Sequence, residues 1–184
     1  AEWIANFPQW AKENRIMIIS VLLVIAVVGA VYIWRIHNRN VTAQKQIELT
    51  RLLSQLLGTK MQILGAQAQG KDLSYMLLRP AGSLATFAQT ERRATRDEGR
   101  TMAALALIKR ADALRMELHY RPGTVDKQDL IEQINAASAS YTEALKTGAA
   151  NRELAATAKF GLGLCQEELG NFEAARQIYQ QVTA

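Results

Sequence analysis

The sequence predicts an all-α protein: a single membrane-spanning helix that continues into a long helix, followed by antiparallel helical hairpins. Three observations predict it. Ile16 to Trp34 read IMIISVLLVIAVVGAVYIW, uncharged throughout, with Arg15 and Arg35 at the two ends. The 184 residues include only three prolines and 11 glycines, and Ala, Leu, Gln, Glu, Lys and Arg, all good helix formers, are abundant. Outside the apolar stretch, apolar residues recur at helical spacing, and runs of alternating β-branched residues are absent.

The first element is AEWIANFPQWAKENR. Trp3, Ile4, Phe7, Trp10 and Ala11 share one helical face, with Asn6 as a cap and Pro8 near the start. Residues 1–15 are therefore expected to lie as an amphipathic segment in the headgroup region. Residues 16–34 span roughly 28 Å as a helix, close to the hydrocarbon thickness of a bilayer. A soluble core helix is rarely apolar all round for about five turns, and a cleaved export signal has a shorter apolar run of about 7–15 residues. Trp3, Phe7, Trp10, Arg15, Tyr32, Trp34 and Arg35 are the expected membrane-interface residues, because aromatic rings and long cations favour that level. Ala26 and Ala30 have the spacing of close transmembrane helix contacts.

Residues 35–70 are expected to carry the helix onward as a long juxtamembrane rod. Val41, Ile47, Leu49, Leu52, Leu53, Leu56, Leu57, Met61 and Leu64 form its apolar stripe, with Gly58 a weak point. Such a stripe needs a cover: later helices of the chain, a second copy or a partner. Residues 71–97, broken by Pro80 and Gly82, read as a connecting segment with an apolar plug from Tyr75 to Leu78. Residues 98–184 hold four helices. The first starts at Leu84 or at Glu98 and ends near Tyr120, and RPGT stops it. Asp126 and Asn151 begin the next two, and Gly170-Asn171 separates the third from FEAARQIYQQV.

The last two helices carry a resemblance. Leu162-Gly163, Gly170, Phe172, Ala175 and Tyr179 sit at the positions of a Leu-Gly pair, a turn glycine with an aromatic, and an Ala followed by an aromatic. Small Gly163 and Ala175 would let two antiparallel helices approach, with Phe172 and Tyr179 filling the space beside them. LGLCQEELGNFEAARQIYQQV thus resembles a tetratricopeptide (TPR) repeat. Lys159 and Gln166 depart from it, standing where the first helix would carry aromatics. Ala137, Tyr141 and Ala144 repeat the pattern of Ala175, Tyr179 and Val182, offset by about four residues from the usual period of about 34. The resemblance implies a TPR-like helical repeat domain at 98–184, with further repeats or a partner completing the stack.

The layout also resembles that of the bacterial single-pass TPR-like proteins that accompany the Sec translocon, through NFPQWAKENRIMIISVLLV and VYIWRIHNRN. That resemblance implies an anchor in the bacterial inner membrane, an exported (periplasmic) repeat domain, and exported or membrane proteins as clients. Charge argues the other way. Lys12 and Arg15 precede the span while Arg35, Arg39, Lys45 and Arg51 follow it, and cations favour the cytoplasmic side. The periplasmic side is the expectation carried forward.

Net charge is zero over 1–34, +7 over 35–96 and −2 over 97–184, for +5 in all. The basic stretch suits anionic headgroups. Its cations are dispersed without interleaved aromatics, so no nucleic-acid partner is expected. His37 and His119 are far apart in sequence and Cys165 lacks a base nearby, so neither a metal site nor a cofactor site is expected. FGLGLC follows no strand and reads as helix packing, Cys165 as a small buried residue, and Glu167-Glu168 as a solvated face. The expected function is a non-enzymatic, membrane-anchored protein-interaction scaffold. It would assist export or assembly as a translocon-associated or chaperone-like protein, or alternatively hold a large membrane enzyme complex together as an accessory subunit. The expected partners are the lipid bilayer and other proteins, reached through the repeat domain and the long helix, with translocon or membrane-complex subunits among the candidates.

Overall fold

The structure, a computed structural model, describes residues 15–93 and 97–183. Those residues form an all-α protein: six α-helices and one 3-10 turn, with no strand among them. The chain divides into two units, residues 1–44 and 45–184. The expected interfacial segment with Trp3, Phe7 and Trp10 lies outside the described residues.

Helix α1 runs from Arg15 to Gln67. Its N-terminal portion is long and apolar enough to cross a membrane, and none of its most apolar window is buried. Leu22, Ile25, Val28, Tyr32, Ile33 and Trp34 all point into the surroundings. Ser20, the polar exception, donates its hydroxyl to the Ile16 carbonyl at 2.8 Å, so the helix satisfies it internally. Gly58 lies inside the helix without breaking it.

In the second unit the same helix buries a stripe. Leu49, Leu56 and Ile63 lie in the core, seven residues apart, with half-buried Leu52 and Leu53 between them. The helix ends at Gln67, and the turn after it closes at Gly70, whose φ of 73° is left-handed and favours glycine. The Gly70 and Lys71 amides then donate back to the Gln67 and Ala66 carbonyls at 2.9 and 3.0 Å.

The expected connecting segment is largely helical. After a 3-10 turn at Ser74–Leu77, helix α2 runs from Leu78 to Glu91. Pro80 is its third residue, in the first turn, where a missing amide costs no intrahelical bond. Buried Ala81, Leu84, Phe87, Ala88 and Glu91 then give it an inward face at helical spacing. Only half of the expected plug forms: Leu77 is fully buried and Met76 packs on the core, while Tyr75 and Leu78 are exposed.

Helix α3 (Asp97–Tyr120) is the centre of the unit, packed on α2, the 3-10 turn, α4 and α5. That explains its composition. Ala103, Ala104, Ala106, Ala111 and Ala113 are all fully buried, so small side chains admit neighbours on several sides. Helix α4 (Lys127–Thr147) starts at Asp126, whose carboxylate accepts from the Gln128 and Asp129 amides. Helix α5 (Arg152–Glu168) starts at Asn151, whose side chain accepts from the Leu154 amide at 3.1 Å. Each such cap stabilises its helix by about 1 kcal/mol. Helix α6 (Phe172–Thr183) follows another left-handed glycine, Gly170 at φ 79°.

Cross-helix contacts show α3 and α4 to be antiparallel, and likewise α5 and α6. Going up α3, Arg110, Glu117 and Arg121 meet Ser140, Gln133 and Asp129, which go down α4. Gly163 meets the Tyr179 ring, and Lys159 donates to the Gln181 carbonyl at 3.3 Å, so α5 and α6 also run in opposite directions.

Candidate functional site

The GLG run of α5 organises the last three helices. Glycines two apart on a helix point in roughly opposite directions. Gly161 faces the Tyr141 ring of α4, and Gly163 faces the Tyr179 ring of α6. At either position a β-carbon would clash with the ring, well inside van der Waals contact, so both close approaches favour glycine. Spacing singled out Gly163, Tyr141 and Tyr179; Gly161, which carries the α4 contact, could have been read only from the doubled glycine. Ala137, Tyr141, Ala144 and Ala175 are buried as small or knob residues, and Leu162 packs against the core. Phe172 does not fill the expected space. It is 69% exposed, because it opens α6 just after the turn and projects away from α5. The ring beside Tyr179 is instead that of partly exposed Phe160, at 5.4 Å.

Two polar knots hold the helices in register. In one, Glu117 is only 1% exposed, although charged. It accepts from Arg121 Nε at 2.7 Å and Gln133 Nε2 at 2.5 Å, and at the limit of reach from Ser74 Oγ. One carboxylate thereby joins the 3-10 turn, α3 and α4. Asp72 caps the same turn, accepting from the Ser74 amide at 2.9 Å, and this bond draws its pKa below the usual carboxylate value.

In the other knot, Arg115 Nε and Nη2 both donate to Glu168, and His119 Nε2 is 2.8 Å from the same carboxylate. Glu168 is thus an ion-pair partner 15% exposed, not the solvated residue expected. Beside it, Tyr141 donates to Asp112 Oδ1 at 2.5 Å and Lys109 donates to Asp112 Oδ2 at 2.9 Å. Burial pulls the Arg115 pKa down, but hydrogen bonding to Glu168 and Tyr141 outweighs it and the net shift is upward. Burial and the Asp112 carboxylate raise the Tyr141 pKa.

The raised Arg115 and Tyr141 values keep both groups in their ordinary ionisation states, as parts of the packed polar knot. Cys165 is fully buried and its thiol is pushed up to about 12, chiefly by burial, the reverse of an activated nucleophile. The Tyr179 hydroxyl is buried beside Glu167, and burial first, then Glu167, lifts it to about 12. Among the described residues no three His, Cys, Asp or Glu side chains stand close enough to share a metal ion.

The surface features that remain are apolar. Phe160 and Phe172 are exposed at the α5–α6 end, and Leu57, Met61 and Leu64 on α1. Arg15, Tyr32, Trp34 and Arg35 flank the apolar part of α1, all exposed. No family model, curated protein or solved structure matches this chain, so its functional reading rests on this geometry and on the residues themselves.

Proposed function

We propose that this protein is a membrane-anchored helical scaffold that binds other proteins and assists their export or assembly. Its site of action is the periplasmic face of a bacterial inner membrane, in a translocon-associated or chaperone-like role. The observation that carries this reading is the N-terminal part of α1, where span-length apolar surface is exposed and no described residue buries it. Water penalises such a surface by roughly 25 cal/mol per Å2, and a bilayer removes the penalty. Gly161 and Gly163 under two equivalently placed tyrosines support the TPR-like reading of α4 to α6. The scaffold mechanism is tethering: confinement to the membrane raises the effective concentration of the exposed binding surface near its client.

The experiment has two parts. Alkaline carbonate washing should leave the protein in the membrane pellet; release to the supernatant sinks the anchor. Protease added to spheroplasts should reach the helical unit, whereas cleavage only after lysis would move it to the cytoplasm. A second reading, a fixed accessory subunit of a large membrane complex, is favoured by exposed Leu57, Met61 and Leu64, which suit a permanent interface. In vivo crosslinking separates the two: a subunit yields one neighbour in a set ratio, and a chaperone many chains in small amounts.

A further inference from the structure

The apolar stripe of α1 is covered on one side and open on the other. Leu49, Leu56 and Ile63 are buried, but Leu57 and Met61 are 62% and 63% exposed, and Leu64 continues the strip one turn later. Beside this strip, α1 and α3 border a groove of about 500 Å3. Leu53, Leu56, Leu57 and Met116 make its apolar floor. Lys60, Lys109, Arg115 and His119 stand around it, with Asp112 the lone carboxylate. Lys109 is held by Asp112 and Arg115 by Glu168, so both are fixed in place. Lys60 has no ion-pair partner among the described residues.

The shape fits a helix. The residues from α1 (53, 56, 57 and 60) and from α3 (109, 112, 116 and 119) are each one helical ridge, and the channel between two such ridges accepts a third helix. The walls run for about two to three turns, roughly 10–16 Å. The charge selects the occupant. Asp112 offsets Lys109 and Glu168 offsets Arg115, so Lys60 is the cation left over at the rim; it repels a basic helix and draws in an acidic one. A second copy docking by its own α1 is disfavoured, since residues 35–67 carry Arg35, Arg39, Lys45, Arg51 and Lys60 against Glu48 alone. We propose that this groove binds an amphipathic helix of a partner protein, seating large aliphatic side chains on Leu53, Leu57 and Met116 and placing Asp or Glu beside Lys60. The proposal rests on the scaffold reading and gives it a binding site and a partner chemistry.

The test uses the full chain in neutral-lipid nanodiscs. The probe is a labelled 16-residue helical peptide, about 24 Å long, with Leu at every third or fourth position and Glu along both edges. Two controls replace its Glu by Lys or its Leu by Ser. Fluorescence anisotropy should show binding of the first peptide, at least about tenfold weaker binding of each control, and weakening by added salt. Leu57→Glu should weaken binding about tenfold or more and Lys60→Glu about threefold to tenfold. Lys60→Glu should also improve the Lys-edged control. Leu57 is exposed and Lys60 half-exposed, and unchanged circular dichroism of the variants verifies that the fold is kept. Equal binding of Glu and Lys peptides, undiminished binding of the Ser control, wild-type binding by Leu57→Glu, or no binding at all each overturns the proposal. A photo-crosslinking residue at Leu57 or at Phe172 in cells separates this failure from that of the scaffold reading. Neighbours captured at Phe172 and never at Leu57 would remove the groove and leave the scaffold standing.

Discussion

Gly161→Ala isolates the contact on which α4 and α5 stack. Two terms oppose each other. Alanine is better than glycine inside a helix by about 1 kcal/mol. Against that, the new β-carbon would clash with the Tyr141 ring, which is 1% exposed and so has nowhere to move without shifting the core. Overpacking of this kind costs about 1–3 kcal/mol. A displaced ring also loosens the hydroxyl bond to Asp112, now 2.5 Å, and a hydrogen bond to a charged group contributes about 1.5–3 kcal/mol. The net expectation is destabilisation by about 2–4 kcal/mol. Urea unfolding followed by circular dichroism in one fixed detergent measures it. Gly58→Ala is the control: nothing lies within 4 Å of its added carbon, so it should stabilise by about 0.5–1 kcal/mol. In a Tyr141→Leu background the Gly161→Ala penalty should shrink by more than about 1 kcal/mol. A Gly161→Ala protein as stable as its parent, or a penalty independent of residue 141, would refute the stacking argument.

Glu117→Ala leaves Arg121 and Gln133 without their shared carboxylate and should cost about 3 kcal/mol, with Glu117→Gln recovering part of it, measured by the same unfolding assay. Cys165 should resist alkylation by iodoacetamide at pH 8 in the folded protein and react promptly in urea, as read by mass spectrometry. The Cys165 thiol and Tyr179 hydroxyl are raised to about 12 from ordinary values of 9.0 and 10.0, so the folded state holds both protons more tightly. Stability from that source is fully present below about pH 9 and is lost as pH rises toward 12; unfolding midpoints should be flat up to the first value and fall beyond it. Phe172→Ser should change stability by less than about 0.5 kcal/mol, because the ring is mostly in solvent; a large loss would show that the ring packs after all.

Features written within one or two helical turns were legible. Asp126, Asn151 and Gly170 mark helix ends by chemistry that acts over two to five residues. Tyr141 and Tyr179 stand out because helical spacing repeats. Pro80 misled, since a proline ends a helix from inside but is tolerated in its first turn, and no local signal says which applies. The exposed Phe172 and the ion-paired Glu168 misled for a related reason: each was placed by helix periodicity, which cannot say which face a neighbour will cover.

The all-α class, the uncharged span-length helix and the starts of α4 and α5 are readable from the residues in order, because they follow from backbone hydrogen bonding and hydropathy over short stretches. Packing between distant helices is what covers Leu56 and leaves Leu57 open, seats Tyr141 on Gly161 rather than Gly163, and lays Glu168 against Arg115. Arg115 and Glu168, like Gln67 and Tyr120, meet across 53 residues of chain. Over such separations the choice of partner depends on how every intervening helix packs, and periodicity of one helix carries no record of it.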